Sequence, residues 1–258
     1  MLVALALALV CAGPAAAQAP GINPPGANDW SCRPTAAHPV PVVLVHGTFG
    51  DMTVSWNLIS PRLKQDGYCV FALDYGNRAT GPIEDSAAQL RDFVDRVLSA
   101  TGARKVSLVG HSQGGMMPRY YIKFLGGASK VDDLIGLAPS NHGTSNPGAL
   151  LLEGAGLCYS CGQQATGSAF LTNLNAGDET PGNVSYTAVE TRYDEVVIPY
   201  TSAFLSGATN VLLQDRCPLD VAEHLSIIYD AVALRWVRNA LGRPGPADPG
   251  FRPSCIPL

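Results

Sequence analysis

A serine enclosed by glycines, where an apolar run gives way to a helical pattern, constrains the fold of this chain more than any other feature. Gly110-His111-Ser112-Gln113-Gly114 fits the pattern G-x-S-x-G. Residues 105–110 have the composition of a buried strand, and residues 113–125 that of a helix. A serine on the sharp turn between two such elements has strained backbone angles, and flanking glycines relieve the crowding around it. We therefore predict that Ser112 is a nucleophile at the carboxyl edge of a sheet; the alternative is an ordinary glycine-rich turn.

Strands and helices alternate along most of the chain. Strands are predicted at residues 41–46, 68–75, 105–110, 131–138, 184–190 and 210–214, and helices at 56–65, 83–100, 113–125 and 225–241. This order predicts a mostly parallel central sheet with helices on both faces, and ligands bind such sheets beyond the carboxyl ends of the strands. Because 47% of the residues are hydrophobic and 15% are charged, residues 18–258 suffice for a single domain with one buried core.

Residues 144–181 do not follow this alternation. They are rich in glycine, alanine, serine and asparagine, and they contain two closely spaced cysteines and an apolar patch at residues 149–152. A connection of this length inside a compact domain is usually functional. We expect a lid-like insertion in which Leu150 and Leu151 contact the substrate or a lipid surface. The alternative is that both leucines belong to the core.

The base that activates a serine near neutral pH is expected to be a histidine, and the chain has five. His38 precedes the first strand, at the opposite edge of the sheet. His46 belongs to the loop after that strand, and His111 is expected to point away from the site. His142 follows a strand at the correct edge but precedes every acid that could serve it in the chain order serine, acid, histidine. We therefore assign the base to His224 and place His142 in the substrate pocket or lid.

The acid that orients the base should follow a strand between Ser112 and His224. Asp194 lies in the loop behind the strand predicted at 184–190, and its short side chain can accept the imidazole N–H. Glu195 is the adjacent rival. Three other acids are assigned to surface loops, and they are Asp215, Asp220 and Glu223.

A second short motif follows the first predicted strand. The apolar run at 42–45 continues into His46-Gly47-Thr48. A strand that ends in this way places backbone N–H groups beside the serine turn, so we predict that the amides of Thr48 and Gln113 form the oxyanion hole. Phe49 is assigned to the substrate pocket. The alternative is that His-Gly only ends the strand.

The amino-terminal segment predicts export. Residues 2–12 are mainly apolar, and the small residues AAAQA follow at 15–19, so we expect a signal peptide over residues 1–17 and a secreted protein. The apolar run is too short to span a membrane, which takes roughly 20 residues. The mildly acidic net charge of −4 offers no basic stripe for nucleic acid.

Six cysteines remain after the leader, and in an oxidising compartment they can form up to three disulfides, in any of 15 pairings. Cys32 precedes the first strand and Cys69 begins the second, so parallel strands would bring the two to one edge of the sheet. We favour Cys32–Cys69, and by elimination Cys158–Cys161 and Cys217–Cys255. The C-x-x-C pair is not favoured as a zinc site, because the second pair of ligands is missing. It is not favoured as a redox site either, because the strand context of a redox motif is missing.

Six short segments follow one another in a characteristic order along the chain. They are VLVHGT at 43–48, GHSQGG at 110–115, SNHGT at 140–144, DETPG at 178–182, YDEVV at 193–197 and EHL at 223–225. Together they resemble the bacterial secreted lipases called lipase class 2, within the α/β-hydrolase superfamily, over residues 41–240. The resemblance implies an α/β-hydrolase fold, hydrolysis of carboxylic esters of acylglycerols, and a triad of Ser112, Asp194 and His224.

These observations predict a triacylglycerol lipase or carboxylesterase that needs no metal or organic cofactor and acts as a monomer on lipids or small esters, including at an oil–water interface. The acids show no EF-hand-like spacing for calcium. A phospholipase, a cutinase-like polyesterase or an acyltransferase would use the same three residues. Two readings without catalysis remain open, a catalytically inactive binding module and an interfacial lipid-binding protein.

Overall fold

A computed structural model describes residues 21–256, so the signal peptide predicted over residues 1–17 lies outside the described residues. Six strands form one sheet in the order β2-β1-β3-β4-β5-β6, and every neighbouring pair is parallel. The strands are β1 (Val42–Val45), β2 (Val70–Leu73), β3 (Val106–His111), β4 (Val131–Leu137), β5 (Ser185–Glu190) and β6 (Thr209–Leu212). The predicted α/β fold with a parallel central sheet is confirmed.

The helices connect these strands across both faces of the sheet. They are α1 (Met52–Ser55), α2 (Ile59–Gln65), α3 (Gly76–Ala79), α4 (Ile83–Thr101), α5 (Gln113–Phe124), α6 (Pro147–Gly154), α7 (Tyr159–Gln163), α8 (Ala169–Asn175), α9 (Leu213–Arg216) and α10 (Ala231–Leu241). None of the helices in the described part of the chain is long and apolar enough to cross a membrane.

Two apolar layers bury the two faces of the sheet. Val42 and Leu44 of β1 pack in one layer with Trp236 of α10, whereas Val43 and Val45 pack in the other layer, which also contains α4 and α5. Alternate side chains of a strand point to opposite faces, so a strand covered on both sides needs apolar residues at consecutive positions. This explains the continuous apolar run at 42–45.

The structure corrects three predicted boundaries. The predicted final helix at 225–241 is a 3₁₀ turn at Ile227–Tyr229 followed by α10. Asp230 separates the two because its carboxylate accepts a hydrogen bond from the amide of Ala233 at 2.7 Å, which caps α10. The helix predicted at 56–65 is α2, which begins only at Ile59, and the short helix α1 precedes it. The strand predicted at 210–214 ends at Leu212, and α9 begins at the next residue.

Three disulfides join the six cysteines, Cys32–Cys69, Cys158–Cys161 and Cys217–Cys255. These are the pairings favoured from the sequence. The first ties the leading segment to the start of β2, and the third ties the end of α9 to the carboxyl-terminal segment. The second lies within the predicted insertion, which folds into α6, α7 and α8.

Candidate active site

Ser112 lies on a tight turn between β3 and α5. Its backbone has φ 55° and ψ −124°, a left-handed conformation that costs a non-glycine residue on the order of 1–3 kcal/mol. A side chain at Gly110 would approach the carbonyl oxygen of Gly114 to 1.8 Å, and one at Gly114 would approach the carbonyl oxygen of Val45 to 2.1 Å. Only glycine fits at either position, which is the physical reason for the G-x-S-x-G pattern.

Asp194 and His224 form a buried pair. The Nδ1 atom of His224 lies 2.7 Å from Oδ2 of Asp194. The other carboxylate oxygen accepts hydrogen bonds from the amides of Val196 at 2.8 Å and Val197 at 2.7 Å. Three donors therefore hold the carboxylate in one orientation. With Nδ1 donating its hydrogen to Asp194, the lone pair of Nε2 is free to accept a proton.

Ser112 and His224 line the same cavity, which has a volume of about 410 Å³. Both residues are buried, with exposed fractions of 6% and 2%. The serine therefore faces a cavity and not open solvent. No hydrogen bond joins the two side chains within residues 21–256; such contacts often tighten only when a substrate binds.

Glu195, the rival acid, has a different partner. Its Oε2 atom lies 3.4 Å from the backbone nitrogen of His224, whereas the ring nitrogen contacts Asp194. The imidazole therefore has its carboxylate partner in Asp194. Asp215 pairs instead with Arg192 at the surface, at 3.5 Å.

Thr48 lies on the other side of the cavity, between two glutamine side chains. The Nε2 atoms of Gln113 and Gln164 each donate to its hydroxyl oxygen at 3.0 Å. The Gln113 amide group also donates to the carbonyl of Ala79, and the Gln164 amide group to that of Ser160. A hydroxyl oxygen has two acceptor sites. Both are taken here, so the Thr48 O–H remains available as a donor toward the cavity.

The two predicted oxyanion amides are also available. Within residues 21–256, the backbone N–H groups of Thr48 and Gln113 have no hydrogen-bond partner. Gln113 is the first residue of α5, where helix N–H groups have no partner within the helix and the helix dipole favours negative charge.

A strained turn that the sequence analysis missed supports this side of the cavity. Gly76, Asn77, Arg78 and Ala79 have consecutive positive φ angles of 59°, 51°, 58° and 57°. The amide of Phe49 donates to the carbonyl of Arg78 at 2.8 Å. The Gln113 side chain is held by the carbonyl of Ala79 at 2.9 Å. Gly76-Asn77 was the only local signal, and it does not reveal that this turn contacts the loop after β1.

His111 does not point away from the site, which corrects the prediction. Its Nε2 atom donates to the backbone carbonyl of His224 at 2.8 Å, and the two rings lie 4.9 Å apart between centroids. Burial lowers the pKa of His111 to about 3. The ring is therefore neutral and supports the loop that carries His224.

The predicted pocket residues divide into two groups. Phe49 lines the cavity, as do Ala149 and Leu152 of α6. Leu150 and Leu151 lie on the outer face of that helix, with exposed fractions of 56% and 74%. The alternative that they belong to the core is therefore wrong. Their assignment to the substrate pocket is also wrong, because neither residue lines the cavity. Residues three apart share a helix face, whereas the two between them point away.

His142 is not among the residues that line the cavity, which corrects its assignment to the pocket. Its Nε2 atom lies 2.8 Å from Oε1 of Glu179, and its backbone amide donates to the carbonyl of Ser202 at 2.9 Å. These contacts hold the two ends of the insertion against the domain. Among residues 21–256, no group of three histidine, cysteine or acidic side chains is arranged to hold a metal ion.

The chain is similar in sequence to known lipases. The sequence profile of the family described as lipase (class 2) matches residues 39–237. A triacylglycerol lipase of Pseudarthrobacter phenanthrenivorans is 38% identical over 91 residues, which cover 33% of this chain and 28% of that protein. Lipase B of Pseudozyma antarctica is 29% identical over 233 residues, which cover 84% of this chain and 67% of that protein.

A solved structure shows the same fold. The crystal structure of Aspergillus fumigatus lipase B matches with a TM-score of 0.75 at 23% identity, over 88% of this chain and 57% of that one. The chain thus spans just over a quarter of the Pseudarthrobacter relative and just over half of the Aspergillus structure. The family match covers most of the chain. This chain belongs to the lipase class 2 family.

Proposed function

We propose that this protein is a serine ester hydrolase, a lipase or carboxylesterase, that cleaves carboxylic esters of the acylglycerol type through an acyl-enzyme. The observation that supports this best is the buried pair of His224 and Asp194, 2.7 Å apart, in the same cavity as the strained Ser112. The family match and the relatives named as lipases support the same class of reaction.

The reaction proceeds in two similar halves. His224 takes the proton of the Ser112 hydroxyl as its oxygen attacks the ester carbonyl, and the resulting oxyanion is held by the amides of Thr48 and Gln113. His224 then protonates the leaving alcohol, which leaves an acyl-enzyme. Water attacks this ester with His224 again as the base, and the free acid departs. Asp194 holds the ring throughout and stabilises its charged form.

The cavity wall favours an acyl chain over a polar substrate. Phe49, Ala149, Leu152, Val197 and Leu225 supply apolar surface around Ser112. Burial of each methylene of a chain in such a cavity contributes about 0.8 kcal/mol. We therefore expect kcat/KM to rise with acyl length until the cavity is filled.

The direct test uses a fluorophosphonate probe and a series of p-nitrophenyl esters from acetate to palmitate. The probe should label wild-type protein and leave a Ser112→Ala variant unlabelled. The ester series, measured with and without an emulsion, separates esterase from lipase behaviour. A folded wild-type protein that takes no label would refute the proposed function.

Thr48 offers a prediction for the oxyanion hole. Thr48→Val keeps the shape and the backbone amide but removes the hydroxyl, which is both the free O–H donor and the acceptor for Gln113 and Gln164. We expect kcat to fall on the order of 100-fold, as when one oxyanion donor is lost. KM for a soluble ester should change little. Thr172→Val, at an exposed position of α8, is the matched control. An unchanged kcat in Thr48→Val would show that only the two amides serve the oxyanion.

Helix α6 offers a prediction for the proposed lid. The exposed Leu150 and Leu151 present apolar surface beside the cavity, where a lipid surface would bind. Replacing both with serine should lower activity on emulsions at least about fivefold more than activity on soluble esters, since burying two leucines contributes a few kcal/mol. The control is Phe124→Ser, an exposed apolar residue at the far end of α5 from Ser112. Equal losses on both substrates would refute the lid.

We also propose that the protein acts outside the cytoplasm. All six cysteines in the described residues are joined in disulfides, and such bonds persist in oxidising compartments. A cell expressing the full chain should release the mature protein with no free thiols. Cytoplasmic retention with titratable thiols at these six cysteines would contradict this.

A further inference from the structure

A buried acid that the proposed mechanism does not use lies directly behind Asp194. Glu190 is the last residue of β5 and is fully buried. Its Oε1 atom accepts a hydrogen bond from the amide of Thr191 at 2.7 Å. Its Oε2 atom is buried and has no donor within reach among the described residues. A buried carboxylate oxygen without a partner carries a large desolvation cost.

The group within hydrogen-bonding reach of the Glu190 carboxyl is the carboxyl of Asp194. Two carboxylates have no hydrogen to share, and they repel each other when both are charged. One proton removes both problems, because a protonated carboxyl is a donor. Asp194 already accepts three hydrogen bonds, from His224 and from the amides of Val196 and Val197. Both oxygens of Asp194 are therefore occupied as acceptors, whereas Oε2 of Glu190 has no partner among the described residues, so the proton belongs on Glu190.

Among residues 21–256, the other elements around Glu190 bring no charge to it. Leu212 is its neighbour in the adjacent strand β6. The Gln214 side chain from α9 is neutral and donates to the hydroxyl of Thr191 at 2.8 Å. Arg192, the next residue along the chain, is paired with Asp215.

The other titratable groups described near this end of β5 have partners other than Glu190. His224, from the loop before α10, bonds to the other side of Asp194. Glu195 faces the backbone nitrogen of His224, and the carboxylate of Glu223 accepts hydrogen bonds from the amides of Leu225 and Ser226. His111, at the end of β3, donates to the backbone carbonyl of His224. Asp194 is thus the charged group that acts on Glu190.

We propose that Glu190 is a positioning residue whose neutral carboxyl group donates a hydrogen bond to Asp194 and so fixes the carboxylate that orients the base. This rests on the proposed function. The order of side chains from β5 to the cavity is then Glu190, Asp194, His224 and Ser112. A neutral donor orients Asp194 without cancelling its charge, which is needed when the imidazole takes up the serine proton.

The proposal has a pH signature that follows from the geometry. Burial and the charge of Asp194 raise the pKa of Glu190 well above its ordinary value of 4.5. Above pH 4.5 the unfolded chain releases this proton while the folded protein keeps it, so the folded state loses relative stability as pH rises, up to the folded pKa. Deprotonation above that value would also place two negative charges side by side and disturb the base.

The test compares Glu190→Gln with Glu190→Leu. Glutamine is neutral, has the same shape and can donate to Asp194, so we expect kcat within about threefold of wild type at pH 7. Leucine fills the space but cannot donate, and kcat should fall about tenfold or more with KM nearly unchanged, since a hydrogen bond to a charged group is lost. The melting temperature of Glu190→Gln should rise relative to wild type as pH increases from 5 to 9.

Asp133→Asn is the matched control. Asp133 is also buried, its pKa is raised to about 7 by burial, and it contacts Ser107 in the half of the sheet away from the cavity. This variant should change the pH dependence of stability but leave kcat and its pH profile as in wild type. A difference infrared spectrum of wild type against Glu190→Gln at pH 7 should show the carbonyl band of a protonated carboxyl.

The outcomes separate the two proposals. If the fluorophosphonate probe fails to label wild type, the proposed function is wrong. If wild type is labelled but Glu190→Leu keeps full kcat, or Glu190→Gln loses as much as Glu190→Leu, the role of Glu190 is wrong. An infrared difference spectrum without the carbonyl band of a protonated carboxyl would overturn the role of Glu190 independently of activity. A difference in stability between wild type and Glu190→Gln that does not vary with pH would overturn it as well.

Discussion

Ser112→Ala should lower kcat for every ester substrate by about 10⁶-fold, which is the size of effect seen when the nucleophile of a serine hydrolase is removed. The variant removes one oxygen atom from Ser112, whose strained backbone forms the turn between β3 and α5. Alanine fits the same space, so the fold and substrate binding should remain. The measurement is single-turnover and steady-state hydrolysis of a p-nitrophenyl ester, with circular dichroism to verify folding.

Ser99→Ala is the control, because Ser99 is exposed on α4. It should retain wild-type kcat and KM. A Ser112→Ala protein with more than about 1% of wild-type kcat would mean that another group attacks the ester, and the account of the site would fail.

Asp194→Asn should lower kcat about 10⁴-fold, the loss observed when the acid of such a triad is converted to its amide. The asparagine oxygen would accept from the amides of Val196 and Val197, as the aspartate does. Its NH₂ group would then face Nδ1 of His224. That nitrogen would have to accept a hydrogen bond, so the ring proton would move to Nε2, where it blocks the uptake of the serine proton.

The matched control is Asp215→Asn, an exposed acid of α9 that pairs with Arg192. It should leave kcat unchanged. Labelling of Asp194→Asn by the fluorophosphonate should slow in parallel with hydrolysis, because both reactions need an activated serine. Wild-type kcat in Asp194→Asn would assign the orienting role to another acid, with Glu195 the first to test.

The fold was predictable because its signals are local. A strand buried on both faces needs consecutive apolar residues, and a serine turn packed against β1 needs glycine at positions 110 and 114. Both requirements restrict the residue types at positions that are close together in the sequence. The chain order of Ser112, Asp194 and His224 pointed to three loops at one edge of the sheet, and the structure brings Asp194 and His224 together there.

Contacts between distant segments were not predictable in this way. Thr48 is held by Gln164, which lies 116 positions away, and no periodicity links the two. The left-handed turn at Gly76–Ala79 supports the loop after β1 through a backbone hydrogen bond from Phe49 to Arg78, and such a bond carries little sequence signal. The final helix was predicted too long because an apolar periodicity does not show where the side chain of Asp230 caps the chain.

The sequence by itself determined the parallel sheet, the glycines of the serine turn and the order in which the chemical groups occur. Only the tertiary structure decided which glutamines hold Thr48, which face of α6 lines the cavity, and that Glu190 lies buried against Asp194. The reason is physical: strand burial and tight turns act on residues that are neighbours in the chain. Desolvation and hydrogen bonding in the site act on groups that become neighbours only when the sheet has formed.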